Sequence, residues 1–328
     1  MLDKFFPLYV LVFLLTLTVT AFSEKRLIPM LSGRAAQPIY EDGPRWHSKK
    51  SGTPTMGGLA FIIATAVSLV FSSLFLFGVG EYERGLSLTI SSIYALLNAA
   101  VGIIDDLSKL KKKENKGLSA KGKLLLQSLI AIIFLMSRRM LLSDDTKMIF
   151  SFGEIDFGLL YYPIALIMLL GIVNCANLTD GIDGLASGVA FSVGVVLFYI
   201  SASLFSDVAL IASAVMGGAI GFLIFNIHPA KVFMGDTGSL FFGALIISAF
   251  FAIDNPLLAS LVCGVYVIEG ISVILQVFFF KLTKKRIFKM APLHHHLEKC
   301  GFSENKICMI AMIATFTVSI PAFIMYLP

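Results

Sequence analysis

The chain reads as an all-α integral membrane protein, with about ten transmembrane helices and one small external β-hairpin in a single domain over residues 1–328. Three observations carry that reading. The composition is 57% hydrophobic and only 14% charged, with a mean hydropathy of +0.87, too little polar surface to cover a soluble globule. Apolar runs of bilayer-crossing length recur along the whole chain. The basic residues fall almost entirely on one set of connections between those runs.

The runs lie at 5–22, 56–78, 87–104, 124–142, 160–176, 185–204, 209–226, 239–253, 257–280 and 306–327. The first resembles a signal peptide only superficially, because its apolar run is long, Asp3 accompanies Lys4, and no A-x-A site follows. Arg138 and Arg139 clip the fourth run and Pro163 opens the fifth, making these two the weakest. Between them, residues 149–157 alternate as in a hairpin, with Gly153-Glu154 as the expected turn.

An even number of spans puts both termini on one side. Assigning the connections 23–55, 105–123, 177–184, 227–238 and 281–306 to the cytoplasm collects 21 of the 26 Lys and Arg residues there. The positive-inside bias therefore places both termini outside. The run Lys111 to Lys116 reads as an anchor to anionic membrane lipid, whereas Lys109 and Lys121 flank an acidic pair and are candidates for a phosphate. Cys175, Cys263, Cys300 and Cys308 have no spacing that suggests a disulfide framework or a zinc site.

Five aspartates fall at the ends of apolar spans on this cytoplasmic side: Asp105, Asp106, Asp180, Asp183 and Asp236. Carboxylates so close to hydrocarbon are functional candidates by default. Asp105-Asp106 closes the third span, and neighbours on a helix diverge by about 100°, so the two need not share a ligand. A carboxylate pair at a helix end also simply marks an interface. The turn Asn177-Leu178-Thr179-Asp180-Gly181-Ile182-Asp183-Gly184 gathers an amide, a hydroxyl, two carboxylates and glycines that let backbone approach a ligand. A plain tight turn would explain Gly181 and Gly184, but not Asn177, Asp180 and Asp183 together.

The connection from Asn226 runs through Phe233-Met234-Gly235-Asp236-Thr237-Gly238 into the next span. Thr237 or Ser239 is the expected cap of that helix, whose N-terminus offers N–H groups to an anion. Asp236 beside it suits a hard cation such as Mg²⁺, which takes oxygen ligands. The last cytoplasmic connection carries Pro292-Leu293-His294-His295-His296-Leu297-Glu298. Zinc sites use spaced histidines, so contact with phosphate or nucleotide sugar is the preferred reading.

These segments, with Pro54-Thr55-Met56-Gly57-Gly58, resemble the polyprenyl-phosphate N-acetylhexosamine-1-phosphate transferases over essentially the whole chain. The triple histidine points to the branch of that family with a muramoyl-pentapeptide donor. The resemblance implies ten transmembrane helices with a cytoplasmic-face active-site cleft, Mg²⁺ as cofactor, a homodimer in the bacterial cytoplasmic membrane, and no nucleic-acid partner. It implies UDP-MurNAc-pentapeptide and undecaprenyl phosphate as substrates. By motif it makes Asp236 the Mg²⁺ ligand and Asp105 the base or phosphate-orienting group, with Asp106 close by. Asn177 and Asp180 would hold the uridine end, with Asp183 near the same metal cluster, and Phe233 would stack on the base. Lys50, Thr55, Lys109, Lys121, Asn226, Gln276, His294, His295 and His296 would line the cleft.

Two routes fit these residues: direct attack of lipid phosphate on the donor's β-phosphate, or a covalent intermediate on Asp105. Two rival functions also fit in part. A sister transferase would take UDP-N-acetylglucosamine instead. A cation-coupled transporter would hold its carboxylates near the bilayer midplane, where only Glu269 and Gln276 of the ninth span lie, and those suit helix-to-helix hydrogen bonding equally well.

Overall fold

The computed structural model describes residues 4–33, 35, 50, 52–112, 117–142, 146–203 and 207–326. Asp3, Lys113, Lys116 and residues 34, 36–49 and 51 of the 23–55 connection lie outside the described residues. The helices are α1 Phe6–Leu31, α2 Gly58–Gly78, α3 Tyr82–Lys112, α4 Ala120–Leu141, α5 Tyr161–Thr179, α6 Leu185–Ser203, α7 Val208–Asn226, α8 Gly235–Ala252, α9 Ala259–Val262, α10 Gly264–Thr283, α11 Leu293–Lys299 and α12 Glu304–Tyr326. Among the described residues nine helices are long and apolar enough to cross a membrane. The shorter apolar stretch Leu185–Ser201 of α6 stands at the tenth expected span.

α7 and α8 form the centre of the bundle. Phe222, Phe241, Phe242 and Phe250 are fully buried there, and Phe61 of α2 stacks on Phe242 with centroids 4.1 Å apart. Outer helices show apolar residues on their free faces instead. α2 exposes Ile63, Val67, Val70, Phe71 and Leu74, a stripe at helical spacing that hydrocarbon, not water, would cover.

Gly102 lets α3 lie directly against the backbone at the start of α8. A Cβ there would fall 2.3 Å from the carbonyl oxygen of Asp236, so any larger residue would push the two helices apart at the level of the acidic residues. At the opposite end, buried Arg138 of α4 donates to the carbonyl of Phe251 at 2.9 Å. That contact explains how a basic pair is accommodated at the end of an apolar helix.

The hairpin pairs β1 Lys147–Phe150 antiparallel to β2 Gly153–Asp156, with Phe150 opposite Gly153. The turn is therefore Ser151-Phe152, two residues before the expected Gly153-Glu154. Gly153 instead begins β2 with φ +131°. Ile149 N–H donates to the Asp254 carbonyl and Ser151 N–H to the Met325 carbonyl, docking the hairpin on the far ends of α8 and α12.

Two other expectations are corrected. α3 does not stop at residue 104 but continues to Lys112, so Asp105 and Asp106 sit inside a helix; Lys109, Lys111 and Lys112 in its last turn complement the carbonyl end of the helix dipole. Nor do Thr237 and Ser239 cap α8, which begins at Gly235. Ser239 bonds back to the Gly235 carbonyl, and Thr237 reaches across to α3.

Candidate active site

The close α3–α8 crossing puts three carboxylates together: one oxygen from each of Asp105, Asp106 and Asp236 lies within 4.8 Å of the others. Each is held differently, because successive residues of α3 point in different directions. Asp106 is 3% exposed. Its Oδ2 accepts from Thr237 N at 2.9 Å and Thr237 Oγ1 at 2.7 Å, and its Oδ1 from Asp236 N at 3.2 Å. It thus performs the capping expected of residues on α8 itself. Asp105 accepts from Leu118 N at 2.7 Å and pairs with Lys109 at 2.7 Å. Asp236 accepts from Asn177 Nδ2 at 2.9 Å, Lys109 Nζ at 3.0 Å and Lys123 Nζ at 2.7 Å.

Two lysines thus face three carboxylates. Lys123 also donates to Asn177 Oδ1 at 3.2 Å, and Asn177 donates to Ser239 Oγ at 2.8 Å, which ties the end of α5 to the start of α8. Thr55, 5% exposed, borders the cluster, since a Cβ on Gly235 would fall 2.9 Å from its Oγ1 and 2.6 Å from Asp106 Oδ2.

A second ionic group lies on the other side of the 180–184 turn. Lys50 Nζ bridges Asp183 Oδ1 at 2.7 Å and Glu304 Oε2 at 2.6 Å. Asp183 Oδ2 faces His228 Nδ1 at 2.8 Å and accepts from Ala230 N at 3.0 Å. Glu304 returns to accept from Asp183 N at 2.8 Å. Asp180, at the end of α5, stands between the two groups. Burial, with the negative charges of Asp236, Asp106 and Asp183 added to it, pushes its carboxyl up to about 8.

The three consecutive histidines diverge. His294 is fully buried and faces Glu269, His295 pairs with Glu298 at 2.7 Å, and His296 Nδ1 accepts from Lys289 N at 3.1 Å. Only His294 therefore turns towards the acidic turn, its ring lying against Gly181. Gln276 pins the connection after α10, its Oε1 accepting from Ile287 N and Phe288 N at 3.2 and 2.9 Å. Asn226 is likewise a tie: Oδ1 accepts from Gly184 N and Ser187 Oγ, and Nδ2 donates to the Val232 carbonyl. Phe233 is half-buried, held by backbone bonds to Pro54 and Gly57.

Of the expected cleft residues, Asp105, Asp106, Asp236, Lys109, Asn177 and Thr55 converge at one group, Lys50 and Asp183 at the other. Lys121 does not join them and is exposed. Lys123 takes that place, because two residues on a helix differ by about 200° and Lys121 and Lys123 face opposite sides. The pattern could have revealed this, since Lys123 alone of the two lies on the face shared with buried Gln127. His228 and Glu304 carry no sequence signal, each being single and surrounded by ordinary helix or loop sequence, and Thr237 and Ser239 read as helix caps because they stand at the start of a span.

Carboxylates opposed by lysines where α3, α4, α5 and α8 meet suit a membrane transferase for phosphorylated substrates, and similarity to known proteins identifies the class. The family model described as Glycosyl transferase family 4 matches residues 87–254, just over half of the chain, and the phospho-N-acetylmuramoyl-pentapeptide-transferase signature 1 matches residues 50–62. Proteins named phospho-N-acetylmuramoyl-pentapeptide-transferase are similar over nearly their full length. That of Halalkalibacterium halodurans is 42% identical over 90% of this chain and 91% of its own. That of Caldicellulosiruptor bescii is 42% identical over 91% of each, and that of Clostridium perfringens strain 13 is 38% identical over 97% and 98%. The chain belongs to the phospho-N-acetylmuramoyl-pentapeptide-transferase family.

Proposed function

We infer that the chain transfers phospho-MurNAc-pentapeptide from UDP-MurNAc-pentapeptide to undecaprenyl phosphate, giving lipid I and UMP, in the first membrane step of peptidoglycan synthesis. The observation that carries the chemistry is Asp236 receiving Lys109 and Lys123 beside Asp105 and Asp106. Two anionic substrates must be brought together, so neutralising charge dominates the barrier. The converging carboxylate oxygens suit a hard divalent cation. Asp236, with Asp105 and Asp106 beside it, would hold Mg²⁺, which would supply positive charge where the pyrophosphate is cleaved.

The protein's own groups do the rest. Lys109 and Lys123 are placed to leave the carboxylates for phosphate oxygens. Asp180 and Asn177 hold the nucleotide side, with Phe233 as a platform for the base and Lys50 and Asp183 beyond it. An oxygen of the lipid phosphate forms the new bond to the β-phosphorus while the bond to UMP breaks and its electron pair leaves with UMP. This direct route needs no bond to Asp105, whose Oδ1 stays held by Leu118 N when Lys109 turns from Oδ2 to the phosphates. Failure to trap phosphorylated enzyme with the nucleotide donor alone, with UMP forming only when lipid is added, would support it.

The one-sided basic residues support a site on the cytoplasmic face of the bacterial inner membrane with both termini external, and the family resemblance suggests a homodimer. The experiment is UMP release by purified protein with both substrates and Mg²⁺, beside an Asp236→Ala control. Release that needs both substrates and is lost in the control supports the reading. Turnover with UDP-N-acetylglucosamine instead would overturn the donor assignment.

A further inference from the structure

Glu269 of α10 is 5% exposed and His294 of α11 is fully buried. The Glu269 carboxylate accepts from His294 N with both oxygens, at 3.1 and 3.2 Å, and Oε2 also faces His294 Nδ1 at 3.1 Å. A carboxylate that already accepts the backbone N–H makes Nδ1 the donating nitrogen. In the neutral ring, Nε2 is then an acceptor.

That Nε2 is buried and has no hydrogen-bond partner among the described residues. It stands against the acidic turn: a Cβ on Gly181 would fall 2.2 Å from Nε2 and 2.8 Å from Cε1. Gly181 has no positive φ, so glycine is needed at this position to admit the imidazole, not to make a turn. Native folds seldom leave a buried polar atom unpaired unless something outside the chain completes it. Here the orphan atom lies beside Gly181, the residue that follows Asp180 in the turn on the nucleotide side of the proposed site.

We infer that Glu269 is a positioning residue for the donor site: it fixes His294 in the Nδ1–H form, so that Nε2 accepts a hydrogen bond from an O–H or N–H of the bound nucleotide. The inference rests on the nucleotide-donor reading above. Glu269→Gln keeps the size of the side chain but replaces one acceptor oxygen with an NH₂ donor. With its oxygen at the Oε2 position that amide sets its NH₂ against the His294 backbone N–H at the Oε1 position, and without the negative charge the hold on Nδ1–H weakens. Gly181→Ala reaches the same end from the other side, by displacing Nε2 while leaving Glu269 untouched.

The test measures UMP release in the purified full-length protein and its E269Q and G181A variants, varying each substrate in turn, with thermal unfolding of each. In parallel, ¹⁵N-histidine spectra of the wild type are recorded with and without UMP, with His294→Ala to assign the ring. The expected result is a KM for the nucleotide donor about tenfold higher in both variants, the loss of roughly one hydrogen bond, with the KM for undecaprenyl phosphate unchanged. The wild-type ring should show Nδ1–H, and its Nε2 resonance should move when UMP binds. An unchanged donor KM in a folded variant overturns the inference, as do equal losses for both substrates, an Nε2–H ring, or an Nε2 resonance indifferent to UMP. Should E269Q fail to fold, G181A and the wild-type spectra decide. If the wild type itself released no UMP from this donor, the proposed function would fail, while the ring spectrum would still report on the Glu269–His294 pairing.

Discussion

The Asp106 carboxylate of α3 accepts both the backbone N–H and the hydroxyl of Thr237 in the first turn of α8, at 2.9 and 2.7 Å. A helix start is thus capped by a residue about 130 positions away in sequence. The same bond fixes the height of Asp236 beside Asp105. Structural and chemical roles can therefore be separated. Thr237→Val removes the hydroxyl bond and leaves the backbone one, and should lower stability by about 1 kcal/mol with Mg²⁺-dependent turnover retained in part. Asp106→Ala removes the whole cap and should cost about 2 kcal/mol or more and abolish turnover. Unfolding temperature and UMP release on the same preparations check both.

Lys123 and Lys121 make a sharper pair. Lys123 lies 2.7 Å from Asp236, while Lys121 is exposed. Lys121→Ala should leave turnover within about twofold, as expected for a surface side chain. Lys123→Ala should reduce turnover at least tenfold through the loss of a charge placed for the phosphates. It also removes a cation that competes for Asp236, so half-saturation by Mg²⁺ should move to lower concentration. Charges a few ångströms apart interact by several kcal/mol at an effective dielectric of about 20, enough for a shift of roughly tenfold. Mg²⁺ titrations of turnover read this directly.

The reach of the sequence differs between fold and site for a physical reason. Membrane spans are legible because hydrocarbon demands long apolar runs, and the order of helices follows from them. The ends of helices are not: α3 runs on through Asp105 to Lys112 because Lys109 satisfies Asp105 one turn away, a tertiary cluster that makes charged helix stable where a loop is expected. The acidic residues stand out as costly in an apolar chain. Their partners do not. Lys123, His228 and Glu304 look like ordinary surface residues until α4 meets the ends of α5 and α8 and the segment after α7 and the start of α12 meet Asp183, and the three histidines look equivalent until a single short helix turns them in different directions.

Asp180 offers a test through pH. Its folded carboxyl is pushed up to about 8 from an ordinary value of 3.8, by burial first and then by Asp236, Asp106 and Asp183. A carboxyl raised on folding holds its proton more tightly in the folded protein. The stability it contributes is full below the unfolded value and is lost as pH rises to about 8. Without metal or donor, the wild type should therefore lose stability between about pH 4 and 8 relative to Asp180→Asn, with the gap constant above that window. Unfolding temperatures in chelator at several pH values measure the gap. A gap that does not change with pH would place the Asp180 carboxyl at an ordinary value. Donor binding should depend on Asp180 at all pH values, so loss of nucleotide affinity in Asp180→Asn is expected regardless of the unfolding result.

Asn226 should behave as a tie rather than a ligand. Its side chain is 3% exposed and joins Gly184 N, Ser187 Oγ and the Val232 carbonyl, linking the acidic turn to the segment that leads into Asp236. Removing it leaves buried backbone groups on both segments without partners, each worth about 1–3 kcal/mol. Asn226→Ala should therefore lower the unfolding temperature substantially. Asn226→Asp keeps the acceptor for Gly184 but loses the donor for Val232, and adds negative charge near Asp183. It should destabilise less than alanine if packing dominates, and more if the added charge is left unpaired. In either variant the donor and lipid KM values should shift together, since the defect lies in the frame that carries both groups. A change confined to the nucleotide KM, with unfolding temperature unchanged, would instead make Asn226 a direct contact to the donor.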